Sequence, residues 1–319
     1  MRVREFADGC EVAQPLLVRD LEVRRRRDGG KYLKLVLADR TGGVPAVVSD
    51  DIDFARDVCA PGEVVYVTGR YARRLLTIET VRAARPGEYS LDDLLDGPSR
   101  DLEQMESDLR ALVGTVQNPH LRRLLAMMFG EGTPTWALYR DAPAAKHYHQ
   151  AYRHGLLEHC LTVAQAVGAI SATFPGIDRD VAVTGALLHD IGKLDAYDIH
   201  SGAISMSDHG RLHGEIALGY FRVRRAIELL DGFPPELAQA LLHIILSHHG
   251  TLEHGSPVVP CTREATLVHM IDNLGGRLGS FDRIEKELPA GQHWSVYDKG
   301  IGAGAYFATR SQETEREAA

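Results

Sequence analysis

No two of the four cysteines, Cys10, Cys59, Cys160 and Cys261, stand in a CxxC pair. Their wide spacing excludes a zinc knuckle and argues for reduced thiols rather than a disulfide frame. No apolar run approaches the roughly 18 residues that a membrane span needs. The opening stretch MRVREFADGC has no apolar segment of the secretory type. Internal repeats and low-complexity tracts are missing as well. These absences point to a soluble, cytoplasmic protein with no membrane partner. Its 319 residues suffice for two domains, each with its own core.

The net charge of −8 is unevenly distributed. Residues 1–85 hold 16 Lys and Arg against 13 Asp and Glu, and the remainder holds 20 against 31, so the front is +3 and the back −11. Two jobs are implied, and an acidic, His-rich back would repel a polyanion unless bound cations changed the balance.

Residues 12–85 read as five strands. In KYLKLVLAD, Leu33, Leu35 and Leu37 share one face and Tyr32, Lys34 and Val36 the other. GVPAVVS, EVVYVTGRY and LLTIETVR are further β-branched runs, RDGGK and DRTGG are turns, and DIDFARDVC is a short helical connector. This pattern predicts a small all-β barrel of the OB type over residues 1–85. Tyr32, Lys34, Tyr66 and Tyr71, with Arg24 to Arg27 nearby, are its candidate nucleic-acid-binding residues, because such barrels stack bases on aromatic rings beside a basic groove. Residues 86–100, rich in Pro, Gly and acid, read as a linker, and Ser99 as the cap of the next helix.

From residue 101 to about 310 the period is helical, which predicts an all-α domain with helices over 101–116, 120–129, 155–173, 179–191, 211–230, 235–248 and 262–278. Residues 311–319 form a polar tail. Five segments of the helical part place metal-ligating residue types within or beside apolar helices: His159, His189 with Asp190, His213, His248 with His249, and Asp272. Imidazoles and carboxylates in a helical core need partners, and a divalent cation satisfies several together. Asp190 can bridge two ions with its two oxygens. Gly192 lets the chain turn after the His-Asp pair, and Lys193 stands one turn on, as a point charge for a phosphate. His120, His147, His200, His209, His243, His269 and His293 read as ordinary histidines, while His154, Glu158 and His254 stand near the site without an assigned role.

The ordered series His159, His189-Asp190, His213, His248-His249, Asp272 resembles the HD phosphohydrolase superfamily. GLLEH, ALLHDIGK and LSHHGTLEHGSPVVPCTREATLVHMIDNL, preceded by an OB domain, resemble the YhaM-type 3′→5′ exoribonucleases from about residue 12 to about 308. The resemblance implies a first ion on His159, His189, Asp190 and Asp272, and a second on Asp190, His213 and His248, with His249 as a further ligand or support. It also implies release of 5′-nucleotides from the 3′ end of single-stranded RNA, with single-stranded DNA as a second substrate. Asp190 and Lys193 are the expected catalytic residues. The mixed nitrogen and oxygen ligands suit Mn²⁺ or Fe²⁺. Two other readings are an HD phosphohydrolase of small nucleotides or cyclic dinucleotides, and a non-catalytic RNA-binding regulator.

Overall fold

The computed structural model describes residues 1–308 except 26–28, 95–96, 99, 146–149, 151, 201–202 and 289–290. The polar tail, Arg26, Arg27, Ser99, His147 and His149 therefore lie outside the described residues. By backbone proximity the chain divides into two compact units. One comprises Met1–Asp96, Ile199–Ile204 and Phe281–Ala319, the other Gly97–Asp198 and Ser205–Ser280.

The first unit is built on β1 (Glu11–Arg25), β2 (Lys31–Asp39), β3 (Gly42–Val48), β4 (Val64–Ala72) and β5 (Leu75–Ala83), with α1 (Ile52–Val58) between β3 and β4. The strands close into a barrel in the order β1-β2-β3-β5-β4, an OB-type arrangement. β1 serves two neighbours. Glu11 to Leu17 pair with β4, Leu17 to Arg25 pair with β2, and a register shift between Val18 and Asp20 bends the strand between them. The alternation in β2 has the expected outcome: Leu33, Leu35 and Leu37 are fully buried in the barrel core. A short helix, α2 (Leu91–Leu94), follows.

The second unit is helical. Its elements are α3 (Leu102–Gly114), α4 (Pro119–Phe129), α5 (Pro134–Asp141), α6 (Gly155–Ser171), α7 (Arg179–Leu188), α8 (Lys193–Ala196), α9 (Asp208–His213), α10 (Glu215–Glu228), α11 (Pro235–Ser247) and most of α12 (Arg263–Glu287). Asp101 caps α3, accepting from Gln104 N at 3.1 Å. Asn118 and Asp178 cap α4 and α7 in the same way. Apolar faces of α3, α4, α6, α7, α10, α11 and α12 share one core.

Three expectations need correction. The single helix over 211–230 is two, because Gly214 has φ 74° and ends α9 before α10 begins. A strand pair, β6 (Tyr197–His200) and β7 (Ala203–Met206), interrupts the helices. α5 is an additional helix, with Thr133 as cap and Pro134 in its first turn. Among the described residues no helix is long and apolar enough to cross a membrane.

Candidate metal centre

The site forms where helix ends and two helix faces meet inside the helical unit. His159 projects from α6, His189 caps the C-terminus of α7, Asp190 follows it, His248 caps α11, and Asp272 lies on α12. His159, His189, Asp190 and His248 are buried. His159 Nε2 stands 3.2 Å from His189 Nε2, 3.3 Å from Asp190 Oδ2 and 3.1 Å from Asp272 Oδ1. His189 Nε2 stands 3.4 Å from Asp190 Oδ2 and 3.7 Å from Asp272 Oδ1. Ligands at about 2.1 Å from a small divalent cation, at right angles, lie about 3 Å apart. His159 Nε2, His189 Nε2 and an Asp190 oxygen, all within 4.8 Å of one another, therefore have the spacing of ligands around one ion, and Asp272 Oδ1 adjoins the two histidines.

The histidine tautomers are set from behind. His189 Nδ1 donates to Ala186 O at 2.7 Å, His248 Nδ1 to Ile245 O at 2.8 Å, and His249 Nδ1 to His254 O at 3.0 Å. Each of these bonds occupies Nδ1 and directs Nε2 inward, the orientation a metal ligand requires. Burial would raise the Asp190 carboxyl, but Lys193 and His189 outweigh it and hold Asp190 well below the usual carboxylate range. Asp272, also opposed by burial, is held low by His159 and His189. Lys193 Nζ lies 2.6 Å from Asp190 Oδ2 and remains charged.

A second group adjoins the first. His248 Nε2 is 3.5 Å from Asp190 Oδ1, and His249 Nε2 is 3.4 Å from Glu215 Oε1. Burial, with His248 beside it, pushes the His249 imidazole down to about 4, so it is neutral at pH 7. Asp190 Oδ1, His248 Nε2 and Glu215 Oε2 are buried with no hydrogen-bond partner among the described residues. A cation satisfies such orphaned atoms, so the residues present fit one.

Among the expected ligands, the structure brings together His159, His189, Asp190, His248 and Asp272, with His249 beside them. It does not bring in His213, which is exposed with its ring stacked on His209 at 6.0 Å. Gly214 separates it from α10 and turns it away. Glu215, absent from the sequence-based candidates, lies in the group instead. It reads in sequence as an ordinary acidic residue of a first helical turn. Gly192 has a different use from the one expected: its φ of −68° is ordinary, but a Cβ there would lie 1.9 Å from Glu215 O. The glycine permits close approach of α10. His243 and His269 have structural roles, the first accepting from Cys261 N and the second bonded to His248 O.

The four barrel residues do not form one platform. Tyr32 pairs opposite Arg24 and Tyr66 opposite Pro15, positions nine residues apart on β1, or about 30 Å of strand. Lys34 is exposed two residues from Tyr32. The Tyr66 ring is covered by the Arg82 guanidinium at 4.4 Å, and its hydroxyl donates to Ala13 O. Tyr71 packs against Phe6 and the barrel core.

Residues 156–276 match the HD domain family, so the helical unit contains an HD domain. Over nearly its whole length the chain is similar to the curated 3′-5′ exoribonuclease YhaM of Bacillus subtilis (strain 168). That similarity is 29% identity over 294 residues, covering 89% of this chain and 91% of the relative. The YhaM of Geobacillus sp. (strain WCH70) is also 29% identical, over 291 residues, with 89% and 88% covered. The resemblance read from GLLEH, ALLHDIGK and the Leu246–Asp272 block is thus borne out along the chain. Among solved structures, a mitochondrial single-stranded DNA binding protein of S. cerevisiae, Rim1, covers 25% of this chain and all of its own at 19% identity and a TM-score of 0.22.

Proposed function

We propose that this protein is a metal-dependent 3′→5′ exoribonuclease that hydrolyses single-stranded RNA to 5′-nucleotides and acts on single-stranded DNA as well. The observation that carries the reading is the convergence of His159 Nε2, His189 Nε2, Asp190 Oδ2 and Asp272 Oδ1 from three helices, in a chain similar to YhaM over 89% of its length. His159, His189, Asp190 and Asp272 would hold one cation, and Asp190 with His248 would face a second. Bound divalent ions supply Lewis acidity and an acidified water at neutral pH. The nitrogen and oxygen donors suit Mn²⁺ or Fe²⁺.

The chain's own groups do the rest. Ala186 and Ile245 carbonyls keep His189 and His248 in the ligand tautomer. Lys193 keeps a positive charge at the centre, where it offsets the charge of a phosphodiester. Residues 1–85 bind the strand, with Tyr32 and Lys34 as the contact end of β2, and residues 101–310 cleave it. The protein works in the cytoplasm, in keeping with four unpaired cysteines.

The test uses purified protein, Mn²⁺ and 5′-labelled single-stranded RNA, with matched DNA, circular RNA and cyclic dinucleotides beside it. The expected result is a ladder shortening from the 3′ end, stopped by EDTA and by a blocked 3′ terminus. Efficient cleavage of the circle, or turnover of cyclic dinucleotides alone, would overturn the reading.

A further inference from the structure

The geometry points to Glu215 as a ligand of a second cation site, completed by Asp190, His248 and His249, with His213 outside it. This rests on the metal-dependent reading above and deepens it. Glu215, His248 and His249 offer three ligand atoms that all lie within 4.8 Å of one another. Glu215 Oε1 is 3.4 Å from His249 Nε2 and 4.0 Å from His248 Nε2, and His248 Nε2 is 3.5 Å from Asp190 Oδ1. Asp190 presents Oδ2 to His159 and His189 and Oδ1 to His248, so one carboxylate faces both groups.

The unpartnered atoms locate the site independently of those distances. Asp190 Oδ1, Glu215 Oε2 and His248 Nε2 are three of the six buried side-chain polar atoms without a partner among the described residues, and they belong to one cluster. A plain ion pair between Glu215 and His249 would explain Oε1 but would leave Oε2, Asp190 Oδ1 and His248 Nε2 unsatisfied. A cation explains all of them. His249, its Nδ1 tied back to His254 O, directs Nε2 towards Glu215.

The fold is shaped to deliver Glu215. Gly214, with φ 74°, ends α9 and starts α10 so that Glu215 is its first residue. Gly192 and Gly219 let α10 lie directly against the turn after Asp190. A Cβ on Gly192 would meet Glu215 O at 1.9 Å and Gly219 N at 2.4 Å. A side chain at Gly192 would push the start of α10, and with it the carboxylate, away from His248. His213 lies before the break and cannot follow.

A carboxylate in this position makes the second site richer in oxygen than an all-histidine set. It favours Mn²⁺ over softer ions, relative to the same site with imidazole there. The test is Mn²⁺ stoichiometry and affinity, by elemental analysis and titration calorimetry, on the full chain with no RNA present. Wild type and His213→Ala should each bind about two equivalents. Glu215→Gln, which keeps the shape, should keep one tight ion and bind the other at least tenfold more weakly. Glu215→His should shift preference at the weaker site from Mn²⁺ towards Zn²⁺. Circular dichroism of the metal-free variants should match wild type. If Glu215→Gln binds both ions as wild type does, or if His213→Ala loses one, the assignment is overturned. A wild type that saturates at one ion removes the second site and leaves the proposed function intact, whereas no binding at all removes both.

Discussion

Asp39 in the barrel and Asp190 in the helical unit are both buried, 5% and 2% exposed, and a burial profile does not tell them apart. Their partners do. Asp39 Oδ2 accepts from Val3 N at 2.7 Å, and Oδ1 accepts from Thr41 N at 2.7 Å and Thr41 Oγ1 at 2.6 Å. Every donor is local or backbone, and the carboxylate holds two loops together. Asp190 Oδ2 accepts from Lys193 Nζ at 2.6 Å, but Oδ1 has no hydrogen-bond partner among the described residues and faces His248 Nε2 from another helix. The difference separates structure from function. A buried charge that the backbone satisfies stabilises the fold. One left open beside other open groups marks a site that something else must complete.

That contrast can be broken by exchanging the symptoms of the two aspartates. Asp190→Asn should lower kcat on labelled single-stranded RNA by about 10³-fold or more, because in the proposed arrangement its two oxygens would serve both cation sites. Its effect on the melting temperature of metal-free protein should be small by comparison. Equal loss of folding and activity would put Asp190 in the class of Asp39.

Asp39→Ala should do the reverse. Three donors lose a charged acceptor, which costs about 2–4 kcal/mol of barrel stability. The loss should appear in urea denaturation and in faster amide exchange of β2 and β3, with Mn²⁺ stoichiometry unchanged. A fall in metal content would show that the carboxylate acts beyond the barrel.

The smallest effect concerns the barrel surface. Tyr32→Ala should weaken binding of single-stranded RNA by about 1–2 kcal/mol if its ring stacks a base. Tyr66→Ala should change binding less than about twofold, since Arg82 already covers that ring. Fluorescence anisotropy with a short labelled RNA checks both, and a larger loss at Tyr66 would reverse the assignment of the contact end.

Much of this protein was determined locally and could be read from the chain. The strands were legible because the alternation of Leu33, Leu35 and Leu37 dictates which face is buried whatever lies opposite. α4 and α7 were legible from their helical period, and Asn118 and Asp178 satisfy their helix starts. His189-Asp190 stood out because two polar residues ending an apolar helix need a reason. α5 escaped because two turns give too short a period, although its Thr133 cap and Pro134 were in view. The composition of the metal cluster was decided only by tertiary structure. Periodicity says which side chains share a face of one helix, but not which faces of distant helices meet. His213 and Glu215 stand two residues apart and both carry ligand chemistry. Gly214 turns the chain between them, and Gly192 admits α10 at a distance no larger residue would allow. Packing therefore left the histidine in solvent and brought the glutamate to Asp190 and His248.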